Sequence, residues 1–260
     1  MANKGKHLFL TGFVLLIQLS LGCIIYGQAV DSIKPINHFN GVITVTNKGI
    51  STIPNLTLGK PAAIFAFSIG RKFSAEPEIR MALEGKPWMI IFWWRYEIIN
   101  NDRFFVKVRT NQTVAFKDFS DTTSSGINTY MLGQRTLTSD LTANYYITKN
   151  ITIGPYYMYI YGVEKNVIKN THYIALKAGF SNIRLSENFL FRISPQLYYL
   201  KMDKNDGFYF NSGFNLSRRN FPLSISALMS KSIKTEIPVG REFLWNISLV
   251  YTFNRNYIEE

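Results

Sequence analysis

The 260-residue chain has a single cysteine, Cys23, and three histidines. One cysteine makes no disulfide framework. So few His and Cys leave no cluster spaced to hold a zinc ion, and neither a metal nor a cofactor is expected. Gly-rich phosphate loops and a G-x-S-x-G elbow are missing, which removes the commonest sequence marks of nucleotide binding and of serine hydrolases. Beyond residue 27 no apolar run reaches the ~18 residues that a membrane helix needs. Helical domains, solenoid periods and low-complexity tracts are also missing, so the chain reads as one domain.

What is present begins with a processing signal. Lys4, Lys6 and His7 form a positive start, residues 8–21 are largely apolar, and Ile25-Tyr26-Gly27 offers a cleavage site before Gln28. The alternative is a lipoprotein site at Gly22-Cys23, which Ser20-Leu21 precedes as a poor lipobox. The expected division is a signal peptide over 1–27, a periplasmic lead-in over 28–49, a transmembrane barrel over 50–254 and a periplasmic tail over 255–260. Without Lys4 and Lys6 the 29 basic residues become 27 against 17 acidic ones, a net charge of +10. In an exported chain that excess points to acidic lipid head groups or an anionic solute rather than to nucleic acid.

The barrel expectation rests on alternation. In residues 243–253, Phe243, Trp245, Ile247, Leu249, Tyr251 and Phe253 are large and apolar, while Leu244, Asn246, Ser248, Val250 and Thr252 between them are mostly small or polar. A period of two with aromatic residues near both ends is the pattern of a strand crossing a bilayer. The chain is 15% aromatic, and most of that content lies in similar stretches. They occur at 50–59 (weakly, across Pro54), 64–71, 73–84, 88–99, 103–117, 135–148, 151–162, 172–182, 188–201, 207–217, 221–232 and the closing segment. The fold class is therefore all-β, a transmembrane antiparallel β-barrel of about 12 strands, with both termini on the periplasmic side. The longest connections, 118–134, 163–171 and 233–241, then fall outside. Pro77, Pro155 and Pro195 interrupt strand candidates and read as bulges.

With that pattern in view, the chain resembles Gram-negative outer-membrane β-barrel proteins. Trp245-x-Ile247-x-Leu249-x-Tyr251-x-Phe253 looks like the terminal signal of that class, in which Phe usually ends the chain; here Asn254 to Glu260 follow. Leu58-Gly59-Lys60-Pro61, Glu84-Gly85-Lys86-Pro87-Trp88 and Phe92-Trp93-Trp94-Arg95-Tyr96 look like uncharacterised barrels from the Bacteroides and Flavobacterium side of bacteria. The resemblance implies an outer-membrane location among outer-membrane lipids. It also implies recognition of the last strand by the barrel-assembly machinery.

If the oily faces meet lipid, the alternate faces line a lumen. Strands three to five would place Glu76, Glu78, Arg80, Glu84, Arg95, Glu97, Lys107, Arg109 and Lys117 there; Glu78, Arg80, Arg95, Glu97, Lys107 and Arg109 form the candidate charge ladder. The last three strands would oppose it with Tyr209, Asn211, Asn215, Ser217, Ser224, Ser226, Ser230, Asn246, Ser248 and Thr252. Counting Lys177, Arg192 and Asp140 as well, seven lumen bases face five acids, which suggests a mild preference for anions. The layout is similar to narrow twelve-stranded monomeric porins for acidic oligosaccharides, an analogy of fold without shared motifs. The expected function is a narrow channel for small polar solutes. The alternative is a closed structural or surface-binding barrel acting through its outer loops. A third reading, a lipid-modifying enzyme, would use His172, which shares a face with Ile174 and Leu176 near the outer rim, but no serine sits at a telling spacing. Tyr156, Tyr157, Tyr159 and Tyr161 could stack on a sugar or form an interfacial girdle.

Overall fold

The alternation closes into a cylinder in the computed structural model, which describes residues 36–123, 126–165, 167–238 and 241–258. The segment read as a signal peptide lies outside the described residues. The twelve strands are β1 (Ile36–Thr46), β2 (Ala62–Gly70), β3 (Phe73–Ala82), β4 (Pro87–Asn100), β5 (Phe104–Thr123), β6 (Gly126–Thr148), β7 (Ile151–Gly162), β8 (Asn170–Arg184), β9 (Phe189–Met202), β10 (Asn205–Arg218), β11 (Leu223–Thr235) and β12 (Phe243–Ile258). Each lies beside its neighbours in sequence, and β1 closes on β12. A closed ladder leaves no edge and pairs its backbone groups internally, which hydrocarbon demands. Trp94, Leu137, Ile174, Leu197, Ile225 and Ile247 stand exposed on the outer wall. Such a continuous apolar surface suits lipid and would drive aggregation in water. No helix among the described residues is long and apolar enough to cross a membrane.

The strand count puts the start of β1 and the end of β12 at one end of the cylinder. That terminal end has the connections 71–72, 101–103, 149–150, 185–188 and 219–222. The loop end has 47–61, 83–86, 163–169, 203–204 and 236–242.

The seam between first and last strands depends on one glycine. Gly41 faces outward on β1, and a Cβ there would overlap two ring carbons of Phe253. The Phe253 ring covers it and meets Phe39 edge-on at 5.4 Å. An aromatic ring laid over a bare strand position restores the contact area that glycine lacks.

The structure corrects several expectations. The first strand is Ile36–Thr46, inside the stretch read as a periplasmic lead-in. Its outward row of Phe39, Gly41, Ile43 and Val45 has a gap at Gly41, filled only across the seam. Residues 50–59 are not a strand but part of the β1–β2 loop, with a 3-10 turn at Pro54–Leu56. The barrel ends at Ile258 rather than at 254, so most of the segment read as a tail continues β12. The long loop expected at 118–134 is a continuation of β5 and β6, paired as far as Thr123 and Gly126. A ladder outside the bilayer needs backbone pairing but no oily face, so apolar alternation does not mark it.

The three prolines are not bulges. Pro77 pairs Phe92, Pro155 pairs Leu176 and Pro195 pairs Ser212, all without a shift of register. On the opposite side of each proline the ladder skips pairs and resumes in the same register, between Ala66↔Glu78 and Ile69↔Ala75, between Thr142↔Tyr156 and Tyr145↔Ile153, and between Lys177↔Gln196 and Phe180↔Ile193. A proline lacks one N–H, so it weakens the ladder toward one neighbour only. True shifts occur elsewhere, including between Arg80 and Met81, where Arg80 pairs Met89 and Met81 pairs Pro87. Trp88 is the extra residue, and the bulge turns it inward.

Candidate functional site

The β1–β2 loop folds into the lumen. Its base is closed by its own backbone: Gly49 N–H donates to Lys60 O at 2.7 Å, and Leu58 and Gly59 N–H both donate to Gly49 O at 3.0 Å. Across the loop, Ser51 N–H donates to Thr57 Oγ1 at 3.1 Å. A loop with adjoining ends and internal bonds moves and packs as one body. Its apolar tip residues divide between two walls. Ile53 is buried among Tyr156, Met158, Ile160, Tyr173, Tyr198 and Leu200. Leu56 and Leu58 pack with Trp88, Met89 and Ile91. Two side chains of the wall hold the backbone of the loop tip. Trp88 Nε1 donates to Leu56 O at 2.9 Å, and Tyr198 Oη donates to Thr52 O at 3.2 Å. The loop therefore occupies the loop-end half of the lumen.

Outside the barrel wall the loop base is clamped to the β3–β4 turn. The two Gly-Lys-Pro stretches lie side by side: Leu83 N–H donates to Pro61 O at 3.0 Å, and Lys60 Nζ meets Glu84 Oε1 at 2.9 Å. Gly59 and Gly85 adopt φ of +76° and +89°, which L side chains rarely tolerate. The Lys60 hydrogen bond holds the Glu84 carboxyl below the usual carboxylate range, and Glu84 in turn raises the Lys60 ammonium. Glu84 was expected in the lumen; it sits instead on this exposed turn.

Four tyrosines on adjacent strands form the wall behind Ile53. Tyr173 and Tyr198 stack at 4.6 Å, Tyr198 and Tyr209 stack at 5.0 Å, and Tyr156 meets Tyr173 edge-on at 5.6 Å. The row of tyrosines on β7 thus splits: Tyr156 is buried inside, whereas Tyr157 and Tyr161 are exposed outside. Sequence inspection places each tyrosine on a face but cannot line up four strands. The stack needs the register that pairs Tyr156 with Ala175, Ala175 with Tyr198 and Tyr198 with Tyr209.

Below the loop the charged wall forms two groups, bridged by Arg109, and one separate pair. Arg95 Nε reaches Glu76 at 2.8 Å and its Nη1 reaches Glu97 at 3.1 Å. Arg109 Nη2 donates to Asp140 Oδ2 at 2.6 Å, and Tyr156 Oη donates to the same oxygen at 3.0 Å. Arg109 also lies 4.2 Å over the Trp93 ring and 3.9 Å from Glu76. Glu78 pairs with Arg80, whose guanidinium sits 5.1 Å over Trp88. Of the six residues proposed as a ladder, Glu78 and Arg80 form one pair, Arg95 and Glu97 belong to the first group, and Arg109 turns to Asp140. Lys107 takes no part in an ion pair among the described residues; its ammonium lies 5.7 Å over Phe105.

The opposite wall is made of short polar side chains. Asn215 Nδ2 donates to Ser224 Oγ at 3.0 Å, and Asn246 Nδ2 donates to Lys48 O at 3.0 Å, tying the polar wall to the loop entrance. Small side chains leave space here. A cavity of about 470 Å³ runs from Lys107 and Lys177 to Gln196 and Asn211. Another, of about 320 Å³, lies between Arg192, Asn215, Ser226 and Ser248. Ser194, Gly213 and Leu228 belong to the linings of both, so the spaces adjoin.

The two described histidines give no relay. His172 stands outside, its Nδ1 2.9 Å from the Tyr157 hydroxyl and its ring tilted at 5.1 Å from Tyr159. His38, on the strand that sequence reading did not find, lies 3.5 Å from Ser68 Oγ, which donates to Glu76 at 3.4 Å. The serine lies between base and acid there. A nucleophile relay needs the histidine in the middle.

No family model matches this sequence, and no curated protein matches it significantly. Solved structures do match. A KdgM porin in complex with disordered oligogalacturonate superposes with TM-score 0.51 at 10% identity, over 83% of this chain and 99% of its own. A second structure, of KdgM porin, gives TM-score 0.50 at 9% identity over 83% and 99%. The fold is that of an outer-membrane β-barrel. A NanC porin structure aligns over 87% of this chain and 100% of its own, at 12% identity and TM-score 0.44.

Proposed function

We propose that this barrel is a narrow outer-membrane channel for small polar solutes, selective for anions, with an aperture set by the infolded β1–β2 loop. The observation that carries the reading is the pair of adjoining cavities below the loop, about 470 and 320 Å³, walled by hydroxyls, amides and cations. A closed barrel would fill that volume with side chains or a plugging segment. The likeness of fold to a porin agrees with it. In this reading the exposed outer wall sits among outer-membrane lipids, and the assembly machinery recognises β12.

Single-channel recording of the purified protein in planar bilayers tests the proposal. Discrete steps are expected, with a reversal potential in a salt gradient displaced toward the anion. Cation selectivity would remove the anion preference. Silence would favour a closed barrel acting through its outer loops, a reading that rests on the close packing of Ile53 and Leu56 against the wall.

A further inference from the structure

Charge in the lumen is unevenly settled. Each carboxylate of the charged wall already has an arginine: Glu76 and Glu97 have Arg95, Glu78 has Arg80, and Asp140 has Arg109. Asp140 is completely buried as a side chain and also accepts from Tyr156. Lys107 and Lys177, which share one cavity, stand outside these pairs. Lys107 lies over the Phe105 ring, and Lys177 Nζ lies 3.2 Å from the centre of the Tyr156 ring. Among the described residues no carboxylate lies within 4 Å of either ammonium, and ring faces satisfy a cation only in part. Both line the cavity of about 470 Å³, together with the amides of Asn144, Gln196 and Asn211.

We infer that this cavity is a binding station for a small polyvalent oxyanion, a solute carrying carboxylate or phosphate groups. Lys107 and Lys177 supply the charge, and the amides orient the remaining oxygens. A lysine presents a compact point charge and three donors, which suits an oxyanion arriving with part of its water shell. Arg80, Arg95 and Arg109 are unavailable for that task because their forks are held by carboxylates, and Arg192 lines the adjoining cavity instead. Tyr156 joins the two systems: its ring carries Lys177 and its hydroxyl donates to Asp140, so the station is fixed to the charged wall. The inference deepens the channel reading and rests on it for the route by which the solute arrives.

The test is calorimetric titration of the detergent-solubilised barrel with citrate and, separately, with inorganic phosphate. Saturable binding of at least one probe is expected, weakened tenfold or more in the K107Q/K177Q double variant and kept in K107R/K177R and in K201Q, which alters an exposed lysine on the outer wall. Circular dichroism of each variant establishes that the barrel has formed. Citrate binding alone assigns a carboxylated solute, and phosphate binding alone assigns a phosphorylated one. Absence of saturable binding by either probe, or binding unchanged in the double variant, overturns the station. Conductance is recorded on the same preparations. Discrete steps without binding sink only the station, and binding without steps sinks only the channel.

Discussion

The two halves of the lumen are walled by the same twelve strands and filled in opposite ways. Toward the loop end, inward positions hold Tyr173, Tyr198, Leu200 and Tyr209, and an infolded loop packs Ile53 against them. Toward the terminal end, inward positions hold Ser194, Gly213, Asn215, Ser226 and Ser248, and the space between them stays open. Neither strand number nor closure distinguishes the halves. Side-chain volume does, together with the infolded residues Ile53 of the β1–β2 loop and Ile237 of the β11–β12 loop. The loop-end half is narrowed by apolar contact around Ile53 but keeps a cavity of about 340 Å³ between the loop and Tyr198, Tyr209 and Ser230, whereas the terminal half keeps polar groups that water or a solute can satisfy.

The comparison breaks most sharply if the loop is removed. Replacing residues 51–57 by two glycines, anchored between Ile50 and Leu58, is expected to raise single-channel conductance several-fold. An unchanged step size would show that the narrow point lies elsewhere.

Next in size is the charged wall. Arg109→Gln leaves the buried Asp140 carboxylate with Tyr156 alone. Stripping one partner from a buried pair costs about 3–5 kcal/mol. The expected result is an earlier unfolding midpoint in guanidinium, largely restored by adding Asp140→Asn.

The packing of the loop is tested by Ile53→Ala. Truncating a buried isoleucine costs about 2–5 kcal/mol, here expected as weaker docking of the loop rather than loss of the barrel. Amide exchange should accelerate over 47–61 and stay slow in β8 to β10. Uniform acceleration would mean that loop and wall unfold together. Trp88→Phe should act in the same direction by about 1 kcal/mol, through loss of the bond to Leu56 O.

The smallest effect is one of pH at the exposed clamp. The carboxyl of Glu84 is lowered in the folded chain, so its contribution is present above the unfolded carboxylate range and fades as pH falls through the lowered value. The Lys60 ammonium is raised, so its contribution is present below the ordinary lysine range and fades only when pH rises through the raised value. Loop-base exchange should therefore quicken on acidification from neutrality and be insensitive between pH 6 and 8. Glu84→Gln should abolish the acid response.

Legibility followed the same division. Inward and outward faces could be read from residues such as Trp245, Ile247 and Leu249, because alternation belongs to each strand alone. The Arg95–Glu97 pair could be expected from its spacing on one face. The junction of Arg109 with Asp140 could not, because it depends on the β5–β6 register. Trp88 opens the strand candidate 88–99, and only the bulge beside it aims it at the loop. Residues 50–59 offered apolar positions without a partner strand. The segment turned inward because the buried tyrosine wall and the Trp88 cluster gave those positions a better neighbour than lipid.

By itself the sequence determined that strands would close into a cylinder with an oily exterior and a polar interior, since a period of two sorts side chains before any strand finds a partner. The tertiary structure decided which charges meet, where Phe253 covers Gly41, and which half of the lumen is filled. Those outcomes depend on register and on the ring of twelve being complete, and no single strand carries that information.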